Sequence, residues 1–158
     1  MDGVGKLEQR QYVLFRVRGE EYGLPIRRVQ SIIRYEDPTP VPRAPAGVDG
    51  VFNLRGQVIP LIDLGALLLH DGLVPSQTSR IIVTDSSLGS VGLAVDGVHE
   101  VASIDVADIR PAPSAALGAE MNEAFEGVAT HGDRLVILLD IDKALPAPVY
   151  VSAGMASE

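Results

Sequence analysis

No cysteine occurs in the 158 residues, so disulfides, thiolate nucleophiles and cysteine metal sites are excluded. Basic side chains are scarce: 13 Lys and Arg stand against 21 Asp and Glu, a formal net charge of −8. A chain so charged is repelled by phosphate backbones and anionic lipid surfaces, so neither nucleic-acid binding nor direct membrane insertion is expected. Long apolar runs are missing too. None approaches the roughly 18 residues of a spanning helix, and the start, MDGVGKLEQRQ, lacks the apolar core of a signal peptide. A cytoplasmic protein is the expectation. With hydrophobic residues at 46% and charged ones at 22%, the chain can bury the core of one domain or of two small lobes.

Helical periodicity is also sparse, and what stands in its place is strands, short apolar segments punctuated by 16 Gly and 11 Pro. In YVLFRVRGEEYGLPI, Val13, Phe15 and Val17 alternate with Arg16 and Arg18, and Gly19-Glu20-Glu21 is read as the turn before Tyr22 to Leu24. A second hairpin follows from Ile81–Thr84 and Val91–Val95 about a Ser- and Gly-rich turn. QVIPLIDL and RLVILLDI are apolar at successive positions, which suits strands covered on both faces. Asp37 to Gly50 and Arg110 to Gly127 read as mobile connectors, the second with one helical turn near Ala119 to Phe125.

The two apolar strands belong to a repeat. GVFNLRGQVIPLIDL (Gly50 to Leu64) returns as GVATHGDRLVILLDI (Gly127 to Ile141) at a spacing of 77 residues, with Leu61 on Leu138 and Asp63 on Asp140. Upstream, at a spacing of 69, Gly23-Leu24 meets Gly92-Leu93 and Val29 meets Val98. The chain is therefore read as two copies of one β-rich unit, about 11–64 and 80–141. Units this small are marginal alone and should pack on each other, leaving a groove between them where a partner can bind.

Chemistry is harder to find. His70, His99 and His131 lie far apart with no metal-ligand spacing, and surface roles suffice for them. The Ser-rich segments lack a nucleophile elbow, and GVGK lacks the remainder of a phosphate loop. Asp63 and Asp140 are repeat partners at strand ends, where capping of a following helix explains them better than a catalytic carboxylate pair. In Asn53-Leu54-Arg55-Gly56 the repeat breaks, facing Thr130-His131-Gly132-Asp133. Asn and Gly suit a tight turn; Arg55, costly to order without a partner, suits an interaction surface or a structural ion pair equally.

The segments YVLFRVRGEEYGLPIRRVQSI, VPRAPAGVDGVFNLRGQVIPLIDL, VGLAVDGVHEVASI, IRPAP and DRLVILLDIDKAL, in this order over residues 11–145, resemble the CheW-like coupling proteins of bacterial chemosensory arrays. The resemblance implies a mainly β fold: two pseudo-repeated five-stranded β-barrel lobes around a shared hydrophobic core, with short helices in the connections. Lobe one is expected over about 11–64 plus a C-terminal return, lobe two over about 80–141, and residues 1–10 and 146–158 as flexible tails. It implies a non-enzymatic adaptor without cofactor, joining the cytoplasmic signalling tip of chemoreceptors to the regulatory domain of a histidine kinase. Such a protein is cytoplasmic, recruited to membrane-associated receptor arrays, and monomeric in isolation.

Carried over by motif, Val29 in RRVQSI and Gly50 and Arg55 in GVFNLRG correspond to receptor- and kinase-facing positions, with Val98 across the groove. Ser31 stands where the family often has glutamate, and Phe52 is bulkier than usual. Plain core packing is the alternative for both valines. The mechanism implied is binding of an amphipathic receptor helix by apolar anchors, with barrel ends touching the kinase. Two rivals remain: a CheW-like module of another chemosensory pathway, or one excised from a larger kinase or regulator, against which the initiating methionine and short termini argue; and a small hydrolase or ligand-binding barrel using Asp63, Asp140 and His131.

Overall fold

The computed structural model describes residues 8–86, 89–111 and 124–145. In chain order the elements are β1 (Gln9–Val17), β2 (Glu20–Pro25), β3 (Val29–Arg34), β4 (Val48–Leu54), β5 (Gln57–Asp63), α1 (Leu64–Leu69), β6 (Arg80–Ser86), β7 (Gly89–Val95), β8 (Gly97–Asp105), β9 (Ile109–Arg110), β10 (Phe125–His131), β11 (Arg134–Leu139) and α2 (Ile141–Ala144). The first strand thus begins inside the expected N-terminal tail; residues 1–7 and 146–158 lie outside the described residues. So does the helical turn expected near Ala119, except that Phe125 opens β10.

Two hairpins turn on consecutive left-handed residues, Arg18-Gly19 (φ 50° and 87°) and Arg55-Gly56 (φ 54° and 86°). Such a pair gives a two-residue turn whose twist matches the flanking strands, with glycine relieving the second position. The first turn is therefore shorter and earlier than Gly19-Glu20-Glu21, and both glutamates join β2 opposite Val17 and Arg16.

The strands form a six-stranded sheet in the order β8, β1, β2, β11, β10, β9 and a five-stranded sheet in the order β3, β6, β7, β5, β4. Replacing each strand by its repeat partner (β1 by β6, β2 by β7, β3 by β8, β4 by β10, β5 by β11) converts one order into the other, with β9 left over. The duplication is thus a structural symmetry. Its joints match as well: the parallel ladders pair Leu138 with Gly23 and Leu61 with Gly92, repeat-equivalent contacts.

Two expectations need correction. The lobes do not follow the halves of the sequence, because each half gives its hairpin, β1-β2 or β6-β7, to the sheet that holds the other half's remaining strands. The hydrogen bonding of the two sheets is also that of open ladders of six and five strands rather than closed five-stranded barrels. Proline limits one edge of each sheet: β9 stops at Pro111, and the Thr39–Val51 bridge beside β4 cannot lengthen between Pro38 and Pro40, which have no N–H to donate.

The core has three layers. Phe15, Tyr22, Ile62, Ile82, Leu93, Phe125 and Leu139 meet between the sheets, drawing on both halves. Tyr12, Leu14, Val136 and Leu138 fill the inside of the larger sheet, and Phe52, Ile59, Leu61, Ile81 and Val83 that of the smaller one. Successive apolar residues are explained by this layering: along β5, Ile59 and Leu61 face one cluster while Ile62 faces the other.

Candidate functional site

The edge strands β3 and β8 carry the first group of candidate residues, and each is bulged at the same repeat position. Val29 pairs with Thr84 and Ser31 with Val83, leaving Gln30 extra; Val98 pairs with Phe15 and Glu100 with Leu14, leaving His99 extra. A bulge kinks its strand and redirects side chains. Both extra residues reach across the neighbouring strand: Gln30 bonds Asp85 and accepts from the Ser90 hydroxyl, while His99 Nε2 lies 2.9 Å from Glu21 Oε2. Val29 and Val98 are half-buried and pack against the shared core, so the structure brings both to the margin between the sheets. Ser31 is half-buried farther along β3.

Gly50 and Arg55 lie on β4 and its turn, at the opposite end of the smaller sheet's strand order from Val29 and Ser31. Gly50 is buried at a second kind of bulge, with φ 150°, and a Cβ there would collide with the Thr39 carbonyl oxygen. Gly127 repeats the arrangement: its Cβ would stand 2.5 Å from the Arg110 carbonyl oxygen. Backbone crowding therefore accounts for glycine at position 50. Arg55 sits in the hairpin turn, which the Asn53 side chain closes by accepting from Gly56 N at 3.0 Å. Its exposed guanidinium has no partner among the described residues, so no structural ion pair is formed among them. Beside the turn Val58 is 58% exposed, as is its repeat partner Leu135 at the tip of the other hairpin.

Sequence reasoning missed a charge network laid across the larger sheet. Arg134 donates to buried Glu21 at 2.7 Å and to Glu100 at 2.9 Å; His99 approaches Glu21, and His131 lies 3.7 Å from Glu100. The arginine holds the Glu100 carboxyl below its ordinary range, helped by His131 and His99. These five residues come from four strands and share a face only through register, which no local pattern announces. A second missed tie runs from Arg28, one residue before Val29, to the Asp85 carbonyl and to Asp142 in the first turn of α2, both at 3.0 Å.

The remaining candidates have structural duties. Asp63 Oδ1 accepts from Ala66 N at 3.1 Å and Oδ2 from Leu73 N at 2.8 Å; Asp140 accepts from Lys143 N at 3.3 Å. Both are N-caps, as read. His70 ends α1 in a left-handed conformation. Burial and the Glu126 carboxylate push the Tyr12 hydroxyl up to about 12, and burial with Glu20 does the same for Tyr22, so neither is an available base or nucleophile near neutral pH. Among the described residues no three His, Asp or Glu side chains converge to hold a metal ion, and no helix is long and apolar enough to cross a membrane. What the arrangement offers is contact surface.

Comparison with known proteins agrees with this outline. A family model described as CheW-like domain matches residues 11–148. The chain is 36% identical over 141 residues to the chemotaxis protein CheW of Klebsiella aerogenes, covering 89% of this chain and 84% of that one. It is also 36% identical over 138 residues to the Rhizobium meliloti chemotaxis protein CheW, covering 87% and 88%. Among solved structures, the scaffolding protein TtCheW from Thermoanaerobacter tengcongensis superposes with a TM-score of 0.80 at 31% identity, covering 89% of this chain and 90% of that one.

Proposed function

Because this chain belongs to the CheW-like domain family, we propose that it is a non-enzymatic chemotaxis adaptor, coupling the cytoplasmic tip of chemoreceptors to the regulatory domain of a histidine kinase. It works in the cytoplasm, recruited to receptor arrays at the membrane, and needs no cofactor. The observation that carries the reading is the match itself: fold and sequence agree over nearly the whole of proteins named for chemotaxis and scaffolding.

Val29 and Val98, at equivalent bulges on the margin of the shared core, are the apolar anchors of the receptor-facing surface. Ser31 borders that surface and tunes which receptor fits. Arg55 and Val58 form a contact at the hairpin end, where an arginine fork with no partner among the described residues and an exposed valine supply the charge-assisted bond and apolar area that interfaces favour. Gly50 supports it by letting the Thr39 segment lie against β4.

Calorimetric titration against a chemoreceptor cytoplasmic helical hairpin and, separately, a kinase regulatory domain tests this. Binding to both is expected, with Arg55→Ala weakening at least one by about tenfold or more, the loss typical of a charge-assisted interface contact. No binding to either partner overturns the adaptor reading.

A further inference from the structure

We propose that the cleft between the end of β3 and the turn before β6 binds a small molecule carrying a phosphate monoester. This does not rest on the adaptor reading. The cleft encloses about 490 Å³, within the range of roughly 300–1,000 Å³ usual for small-molecule sites, and is lined by Arg34, Tyr35, Ser76, Gln77, Ser79 and Arg80.

In a chain of net charge −8, the last rung of the β3–β6 ladder sets Arg34 directly opposite Arg80. Facing like charges on an antiparallel pair are unfavourable unless an anion lies between them. Arg80 is already ordered, its Nη1 donating to the Gln77 carbonyl at 2.9 Å and the Ser79 carbonyl at 2.8 Å. Arg34 has no partner among the described residues. Among the described residues no acidic side chain lines the cleft to neutralise either one.

The wall opposite is prebuilt. Ser79 Oγ accepts from Ser76 N at 2.9 Å, the Ser76 and Thr78 hydroxyls lie 3.0 Å apart, and Thr78 Oγ1 donates to the Asp96 carbonyl at 2.9 Å. The turn thus stands fixed before any ligand arrives, which spares the cost of ordering it on binding. The Tyr35 hydroxyl is kept protonated by burial and by Asp49, Asp37 and Asp63, none of them in the lining, so it serves as a donor.

The charge count selects the ligand class. A single carboxylate neutralises one guanidinium, whereas a phosphate monoester brings close to two negative charges and three acceptor oxygens, enough for both arginines and a neighbouring hydroxyl. The volume beyond the arginines leaves room for the organic part of the ester.

Titration of the isotope-labelled protein followed by amide NMR, at constant ionic strength, provides the test, with adenosine 5′-monophosphate as probe and inorganic phosphate, acetate and adenosine as comparisons. Saturable shifts centred on residues 34–35 and 76–80 are expected with the monophosphate, weaker ones with phosphate, and none with acetate or adenosine. Arg34→Gln should weaken monophosphate binding by about tenfold or more. Without ligand the same variant should melt at or above the wild-type temperature, because one of two facing charges is gone. Shifts that merely follow ionic strength, or persist unchanged in Arg34→Gln, or a clear loss of stability in the ligand-free variant, overturn the proposal.

Discussion

At the scale of single residues, two glycines separate space from conformation. Gly50 combines φ 150° with a backbone oxygen where its Cβ would lie, whereas Gly56, at φ 86°, has nothing within 4 Å. Gly56→Ala should cost about 1 kcal/mol, the strain of a left-handed alanine alone. Gly50→Ala must also break the Thr39–Val51 bridge, whose two hydrogen bonds measure 2.8 and 2.9 Å, and should cost about 2–4 kcal/mol. Urea unfolding of both variants checks the order; equal losses would mean that the Thr39 segment yields easily. Some of this scale is readable without coordinates. Aspartate after an apolar strand is a cap because its short carboxylate reaches N–H groups three residues on, a local fact that Asp63 and Asp140 both obey. Glycine at position 50 is different, since the oxygen that excludes a side chain belongs to a residue brought there by a proline-rich connector.

At the scale of elements, strand pairs bury tyrosines whose ionisation opposes the fold. Tyr12 and Tyr22 in the paired strands β1 and β2 titrate at about 12, against an unfolded value of 10.0. A raised phenol favours its neutral form in the folded state, so the stabilisation is complete below pH 10 and is lost as pH rises toward 12. Stability measured from pH 8 to 12 should therefore fall steeply above 10, and Tyr12→Phe should shallow that fall although it forfeits the 2.8 Å bond to Glu126. An unchanged alkaline slope in the variant would refute the assignment. The strands themselves were legible because a period of two marks the hairpins, and the successive apolar residues of QVIPLIDL and RLVILLDI announced cover on both faces. The bulges were not, because Gln30 and His99 break the alternation only relative to strands fifty or more residues away.

At the scale of the whole molecule, the two halves are interlocked. Each sheet needs the other half's hairpin, and the central core mixes Phe15 and Ile62 of one half with Leu93 and Leu139 of the other. Neither half alone can cover its apolar faces, so separately expressed segments cut between α1 and β6 should show little ordered structure, and mixed together they should recover the β-sheet circular dichroism and cooperative unfolding of the intact chain. Independent folding of either segment would contradict the interlocked core. The same interlocking ties Val29 and Val98, one from each half, to a single core built from residues of both.

The amino-acid sequence by itself determined the strand content, the helix caps and the turn at Asn53 to Gly56, since each depends on residues close along the chain, and the duplication, since the same local pattern is written twice. It also carried the family, through motifs spread in order over most of its length. Only the tertiary structure decided how the strands are shared out between sheets, which charges meet around Glu21 and Arg134, and that Arg34 faces Arg80. The reason is pairing: a hairpin in a duplicated chain finds equivalent edges in both copies, and the choice between them is made by connector length and the shared core rather than by its own residues.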